Sequence, residues 1–220
     1  MPHPSLQQIT EQLNSQESSD RLLALLALRD WPTAEAFPLI KQVLDDSSMP
    51  VRTMAIRSLA IHVTPESLPL LLKLLADREY EVRAGAAGAL GCLGDHRALQ
   101  PLMQVFHEDT HWLVRFSAVV SLGNLHDPQA KDFLITVLTS PEVLIQQAAI
   151  AALGEIGVIE TLNVLLPFID SEDWLTRLNL AQALGNLPSD KSISALKYLT
   201  KDDHPQVCEA ATRALEQHQP

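Results

Sequence analysis

Cysteine is nearly missing from this 220-residue chain, which has only Cys92 and Cys208. The two match neither a disulfide framework nor a Cys-x-x-Cys pair. Cys92, set inside LGCLG, reads as a small buried thiol in a helix. No apolar run reaches the roughly 18 residues that a membrane span needs. The opening MPHPSLQQITEQL lacks a basic segment followed by an apolar one, so no signal peptide is read there. These absences predict a soluble, cytoplasmic protein. Positive charge is also short. The 16 Lys and Arg face 27 Asp and Glu, for a net charge of −11 and a pI near 5.1. That removes the basic footprint of a phosphate-tracking protein and argues against nucleic acid as partner. A phosphate loop, a dinucleotide fingerprint and a G-x-S-x-G elbow are all lacking. No catalytic residue, cofactor or metal is therefore expected.

What the chain does have is one phrase, repeated. LVRFSAVVSLGNL at 113–125 is echoed by VRAGAAGALGCLG at Val82, VRTMAIRSLA at Val51 and IQQAAIAALGEIG at Ile145. Looser echoes start at Asp20, Thr176 and Val207. The anchors 20, 51, 82, 114, 145, 176 and 207 are separated by 31 residues, once by 32. Such a period means stacked supersecondary units, each burying its apolar face against the next. Apolar residues are 46% of the chain, enough for a continuous core. The expectation is a single all-α domain over residues 1–220, a right-handed α-solenoid of about seven helix pairs.

Within each unit a leucine-rich leading helix, as in LPLLLKLLAD (68–77), precedes the VRxxAxxALG helix. Asp46, Asp77, Asp109 and Asp202 stand five residues before their anchors, with Ser140 and Ser171 in the same slot. They should stabilise the turn or satisfy helix-start amides. Pro38, Pro69 and Pro101, each thirteen residues before an anchor, should bend the leading helices. Arg21, Arg52, Arg83, Arg115 and Arg177 share one slot, with Gln146 and Cys208 as exceptions. A guanidinium beside each Asp predicts a unit-to-unit ladder of charge-assisted hydrogen bonds, with anion recognition as the alternative. Polar Glu209, Arg213 and Glu216 on the last helix read as a lid over the terminal unit.

In the Val114 helix the packing positions are Val114, Ala118, Ser121, Leu122 and Leu125. The opposite side, Phe116, Val119, Val120 and Gly123, should be polar on an ordinary surface helix and is not. Ile150 and Leu178 continue this side in later units. An apolar surface of this kind marks an interaction site, unless tight curvature or a second copy covers it. Two residues before successive anchors stand Met49, Tyr80, Trp112, Val143, Trp174 and Pro205. Trp112 and Trp174 read as binding hot spots or as covers over inter-repeat seams. One formal chemical match exists: HEDTH at His107–His111 fits H-E-x-x-H. Zinc chemistry needs both histidines on one face of a continuous helix, and Asp109 in the turn slot predicts a helix break there.

The Asp-plus-Val-Arg pattern with its leading-helix prolines resembles the HEAT repeat in its short, phycobilisome-lyase-like version, over nearly the whole chain. The segments LNSQESSDRLLAL, AFPLIKQVL, HWLVRFSAVVSLG and PFIDSEDWLTRLNLAQALG are similar to cyanobacterial phycobilisome-degradation members of that group. In such arrays the second helices line the concave side. The resemblance implies a scaffold that binds phycobiliproteins, such as phycocyanin and allophycocyanin, or their bilin, and helps phycobilisomes come apart. The contacts would be Trp112, Phe116, Val119, Val120, Ile150, Trp174 and Leu178, with Arg115 and Arg177 near bilin propionates. Some lyase relatives attach, detach or isomerise bilins, so a lyase-like enzyme, working with a partner subunit, is the competing reading. The Tyr-His-Gly-Cys motif of the isomerising lyases is not found here. A general adaptor without a pigment link is the third reading.

Overall fold

The computed structural model describes residues 4–217 and contains no strand among them. It is all-helical, and its fourteen α-helices fall into seven pairs. By internal contacts the chain divides into two compact units, Met1–Ala98 and Leu99–Pro220.

The first unit contains α1 (Leu6–Leu13), α2 (Ser18–Ala27), α3 (Thr33–Gln42), α4 (Met49–Ile61), α5 (Ser67–Leu74) and α6 (Tyr80–Leu93). A reciprocal capping box opens α1, with the Gln8 amide donating to Ser5 Oγ and the Ser5 amide to Gln8 Oε1. The second helices α2, α4 and α6 pack side by side in succession, each also against its own leading helix. The anchors Val51 and Val82 are completely buried, among Ile9, Leu25, Leu28, Ile40, Ile56, Leu59, Leu71 and Leu90. Each such side chain contributes about 1.5–3 kcal/mol by leaving water. Gly94, with φ 68°, closes α6 in the left-handed region that a side chain would strain.

The second unit contains α7 (Leu99–Glu108), α8 (Trp112–Asn124), α9 (Lys131–Val137), α10 (Val143–Ile156), α11 (Leu162–Leu165), α12 (Trp174–Gly185), α13 (Asp190–Leu199) and α14 (Pro205–Gln217). A 3-10 segment, Leu166–Asp170, extends α11 where Pro167 removes a helical donor. Here α8, α10, α12 and α14 pack side by side in succession. They approach closely because glycine recurs nine residues past the anchor. A Cβ on Gly123 would lie 2.8 Å from Ala152 Cα, one on Gly154 2.5 Å from Ala183 Cα, and one on Gly185 3.1 Å from Ala214 Cβ. In α14 the same slot holds the exposed Glu216.

Three sequence expectations change. Gly123 is buried in the α8–α10 contact rather than solvent-facing. Cys92 is exposed, because its slot lies on the free side of α6. Pro69 and Pro101 are the third residues of α5 and α7, where amides have no intrahelical partner, so they begin helices rather than bend them. Pro38 alone of the three sits well inside its helix.

Candidate functional site: the turn ladder and the free face of the second helices

The repeated arginine is structural. Asp46, Asp77, Asp109 and Asp202 each accept, at 2.8 Å, the amide two residues on, shaping the turn before the second helix. The arginine of that helix then donates from Nη1 to the carbonyls of its own turn. Arg52 reaches Asp46 O at 2.8 Å, Arg83 reaches Asp77 O at 2.9 Å and Arg177 reaches Ser171 O at 2.6 Å. Its other edge reaches the carboxylate of the following turn. Arg52 holds Asp77 through Nε and Nη2, both at 2.9 Å, and Arg177 holds Asp202 at 2.6 and 2.9 Å. Arg21 is ion-paired with Asp46, donating from Nη2 to Oδ1 at 2.9 Å. One planar side chain thus ties two consecutive turns, as a bidentate fork can and an ammonium cannot.

Where the slot changes, so does the partner. Ser140 replaces the Asp, and Arg115 pairs instead with Glu142. Gln146 replaces the Arg and donates to Leu138 O at 2.7 Å, while neighbouring Gln147 reaches Asp173 and Thr176 in the next repeat. Cys208 donates to Asp202 O. The Arg177 hydrogen bonds hold the Asp202 carboxyl below its ordinary value against the pull of burial. Burial pushes Asp77 upward, but Arg52 and the Glu79 amide overcome it, leaving that carboxyl lowered too. Hydrogen bonds from Ser140 and then Arg115 lower Glu142. Arg115 and Arg177, expected near bilin propionates, are thus each ion-paired within the chain, with Glu142 and Asp202.

The residues expected to make contact separate into core and surface. Val119 and Ile150 are completely buried and belong to the core. Their slot, five past the anchor, is also buried at Leu25, Ile56, Ala87 and Ala181, and opens only at Thr212 in the last helix. A second helix is flanked by two others as well as its leading helix, so its buried arc is wider than a single apolar stripe implies. Phe116 and Leu178, two past the anchor, are half-buried. Phe116 lies edge-on to Trp112 with ring centroids 6.5 Å apart. Trp174, also half-buried, stacks flat on His204 of the next turn at 3.9 Å, covering a seam between repeats.

Trp112 and Val120 do reach solvent, at 47% and 36% exposure. Reasoning from sequence missed Leu144 as a surface residue and left Val143 out of the contact set. They are 49% and 53% exposed at the start of α10. The available signal was Val143's place in the same rim slot as Trp112. These four are the large apolar side chains exposed on the neighbouring helices α8 and α10, and the exposed side of that pair is called its free face. In the first unit, Leu23, Leu26 and Ile61 are exposed on α2 and α4.

HEDTH is split by a turn. His107 lies in the last turn of α7, Asp109 shapes the turn, and His111 precedes α8, accepting the Leu113 amide on Nδ1. The helical geometry of a zincin is not formed. No helix among the described residues is long and apolar enough to cross a membrane.

The chain matches the family model for HEAT repeats over residues 6–91, 69–154, 105–170 and 132–216. It is 35% identical over 121 residues to a phycocyanobilin lyase subunit alpha from Picosynechococcus sp., covering 50% of this chain and 45% of that protein. An uncharacterized phycocyanin operon protein Y from Pseudanabaena tenuis is 29% identical over 136 residues, 59% of this chain and 32% of that protein. The chain thus spans less than half the length of either relative. Among solved structures, the complex of CpcE and CpcF of phycocyanin lyase from Nostoc sp. superposes with a TM-score of 0.64 at 20% identity, covering 100% of this chain and 96% of the matched chain. That likeness is one of fold.

Proposed function

This chain belongs to the HEAT-repeat family, and from that premise we propose that it is a non-catalytic scaffold engaging phycobiliproteins through the free apolar face of its second helices. In this reading it promotes phycobilisome disassembly, as a degradation protein of the NblB type. The observation that carries the proposal is the exposure of Trp112 and Val120 on α8 and of Val143 and Leu144 on the adjacent helix α10. Large apolar side chains left in water as a group are stabilised by a partner that covers them. The likeness to a phycocyanobilin lyase subunit alpha supplies the class of partner. Because Arg115 and Arg177 are tied into the turn ladder, the reading puts protein surface, rather than bilin propionates, against this face. A scaffold that binds a loosened phycobiliprotein more tightly than an assembled one shifts the balance towards disassembly, with no bond broken.

The second reading is a lyase-like subunit that attaches or detaches phycocyanobilin together with a partner chain. The 35% identity to a lyase alpha subunit favours it. A pull-down with phycocyanin and allophycocyanin, comparing wild type with Trp112→Glu, Phe116→Glu and Leu178→Glu, tests the scaffold. Capture by the wild type and its loss in the variants, with helical signal intact, is the expected result. Normal capture by all three variants would remove the apolar face of the second helices from the account. Activity that appears only on adding a second subunit would favour the lyase.

A further inference from the structure

We propose that the free face of α8 and α10 docks a cationic amphipathic helix, apolar on one side and carrying Lys or Arg at its margins. The inference rests on the scaffold reading and adds the chemistry of whatever is gripped. The face itself is apolar: Trp112, Val120, Val143 and Leu144 are all at least 36% exposed. They belong to adjacent helices, whose axes typically lie about 8–10 Å apart, a spacing that one partner helix can bridge.

Charge decides the occupant. The two arginines of α8 and α12 are locked against Glu142 and Asp202, so neither offers a positive charge to a partner. On α8, α10 and α12 the one acidic residue is the exposed Glu155, near the end of α10. Glu108 at the end of α7 and Glu172 just before α12 add further exposed carboxylates. The whole second unit carries fifteen acidic residues against seven Lys and Arg. A second copy presenting the same face would bring like charge to like charge, which costs affinity. Side chains that are apolar in the centre and basic at the edges instead match both the apolar face and the acidic excess of the unit that carries it.

The test uses a fluorescein-labelled Leu/Lys amphipathic helical peptide and its Leu/Glu counterpart, titrated into the full chain by anisotropy. The Leu/Lys peptide should bind, more weakly as salt rises, and the Leu/Glu peptide should bind at least about tenfold more weakly. Leu144→Asp separates docking from general attraction. Its added carboxylate would tighten a purely Coulombic complex, whereas docking on the face predicts a loss of about tenfold or more. Equal binding of the two peptides, or unchanged or tighter Leu/Lys binding by Leu144→Asp, overturns the inference. Peptide binding without capture of phycocyanin would sink the proposed function alone. Capture of phycocyanin without peptide binding would sink this inference alone.

Discussion

Replacing Gly154 with alanine would set a methyl carbon 2.5 Å from Ala183 Cα and 2.6 Å from Ala183 Cβ. Ordinary contact begins at 3.4 Å, so α10 and α12 would have to part by about 1 Å in an interior packed like a crystal. The obstacle is the backbone of a neighbouring helix, which cannot swing aside as a long side chain can. Alanine gains about 1 kcal/mol over glycine in helix propensity. Overpacking costs about 1–3 kcal/mol, and a backbone obstacle places this site at the upper end. The net loss is about 2 kcal/mol, which lowers Tm by about 4–8 °C in a chain of this size. Thermal unfolding followed by far-ultraviolet circular dichroism reads it directly. Gly88→Ala is the paired control, since a Cβ there meets nothing within 4 Å. It should gain up to about 1 kcal/mol and raise Tm by about 2–4 °C. A Gly154→Ala protein that melts at or above the wild type would refute the close helix approach.

Arg52→Met removes both Asp77 bonds and the donor to the Asp46 carbonyl from a side chain that is 4% exposed. It should cost about 3 kcal/mol, measured by urea unfolding, because Asp77 is left half-buried without its cation. Asp77 and Asp202 titrate below their ordinary value of 3.8 when folded. The unfolded chain therefore binds protons first as pH falls. The ladder's contribution is complete at neutral pH, begins to fade near pH 4 and is lost as pH passes the folded values. Tm measured between neutral and strongly acidic buffer should show this fall, and Arg177→Met should flatten part of it. Val119→Glu puts a charge into a completely buried slot and should abolish cooperative melting, whereas Trp112→Glu on the surface should change stability by no more than about 0.5 kcal/mol. Equal melting curves for those two variants would contradict the division between core and free face.

The repeat made much of this fold legible in advance. Each anchor from Val51 to Val207 lies in a second helix, and Asp46, Asp77, Asp109 and Asp202 all shape the turns their slot implied. The ladder was legible too, since a forked cation recurring at the period of the carboxylates has few other geometries. The far side of the helix was not legible. Helical periodicity separates a packed stripe from its opposite, but it does not say how much of the remainder two flanking repeats will bury. Val119, Ile150 and Gly123 were lost to that ambiguity, being apolar or small whether they face a neighbour or water. Local substitutions hid more. Gln147 takes over the inter-repeat bond one residue beyond the expected slot, using Asp173 because Ser171 has no carboxylate. Leu144 was missed for a different reason: it stands one residue before its anchor, ahead of the helical positions read for facing, yet it is about half exposed.

The measurement that bears most directly on the scaffold is an absorbance titration of purified phycocyanin and partly dissociated phycobilisomes with this chain, followed by sedimentation. The account predicts a saturable complex, with bilin absorbance retained on the phycobiliprotein and a shift from large assemblies to smaller ones. Pigment released from the protein would contradict the non-catalytic reading in favour of a lyase. The absence of any complex would contradict the phycobiliprotein link itself, leaving a HEAT-repeat scaffold for another partner.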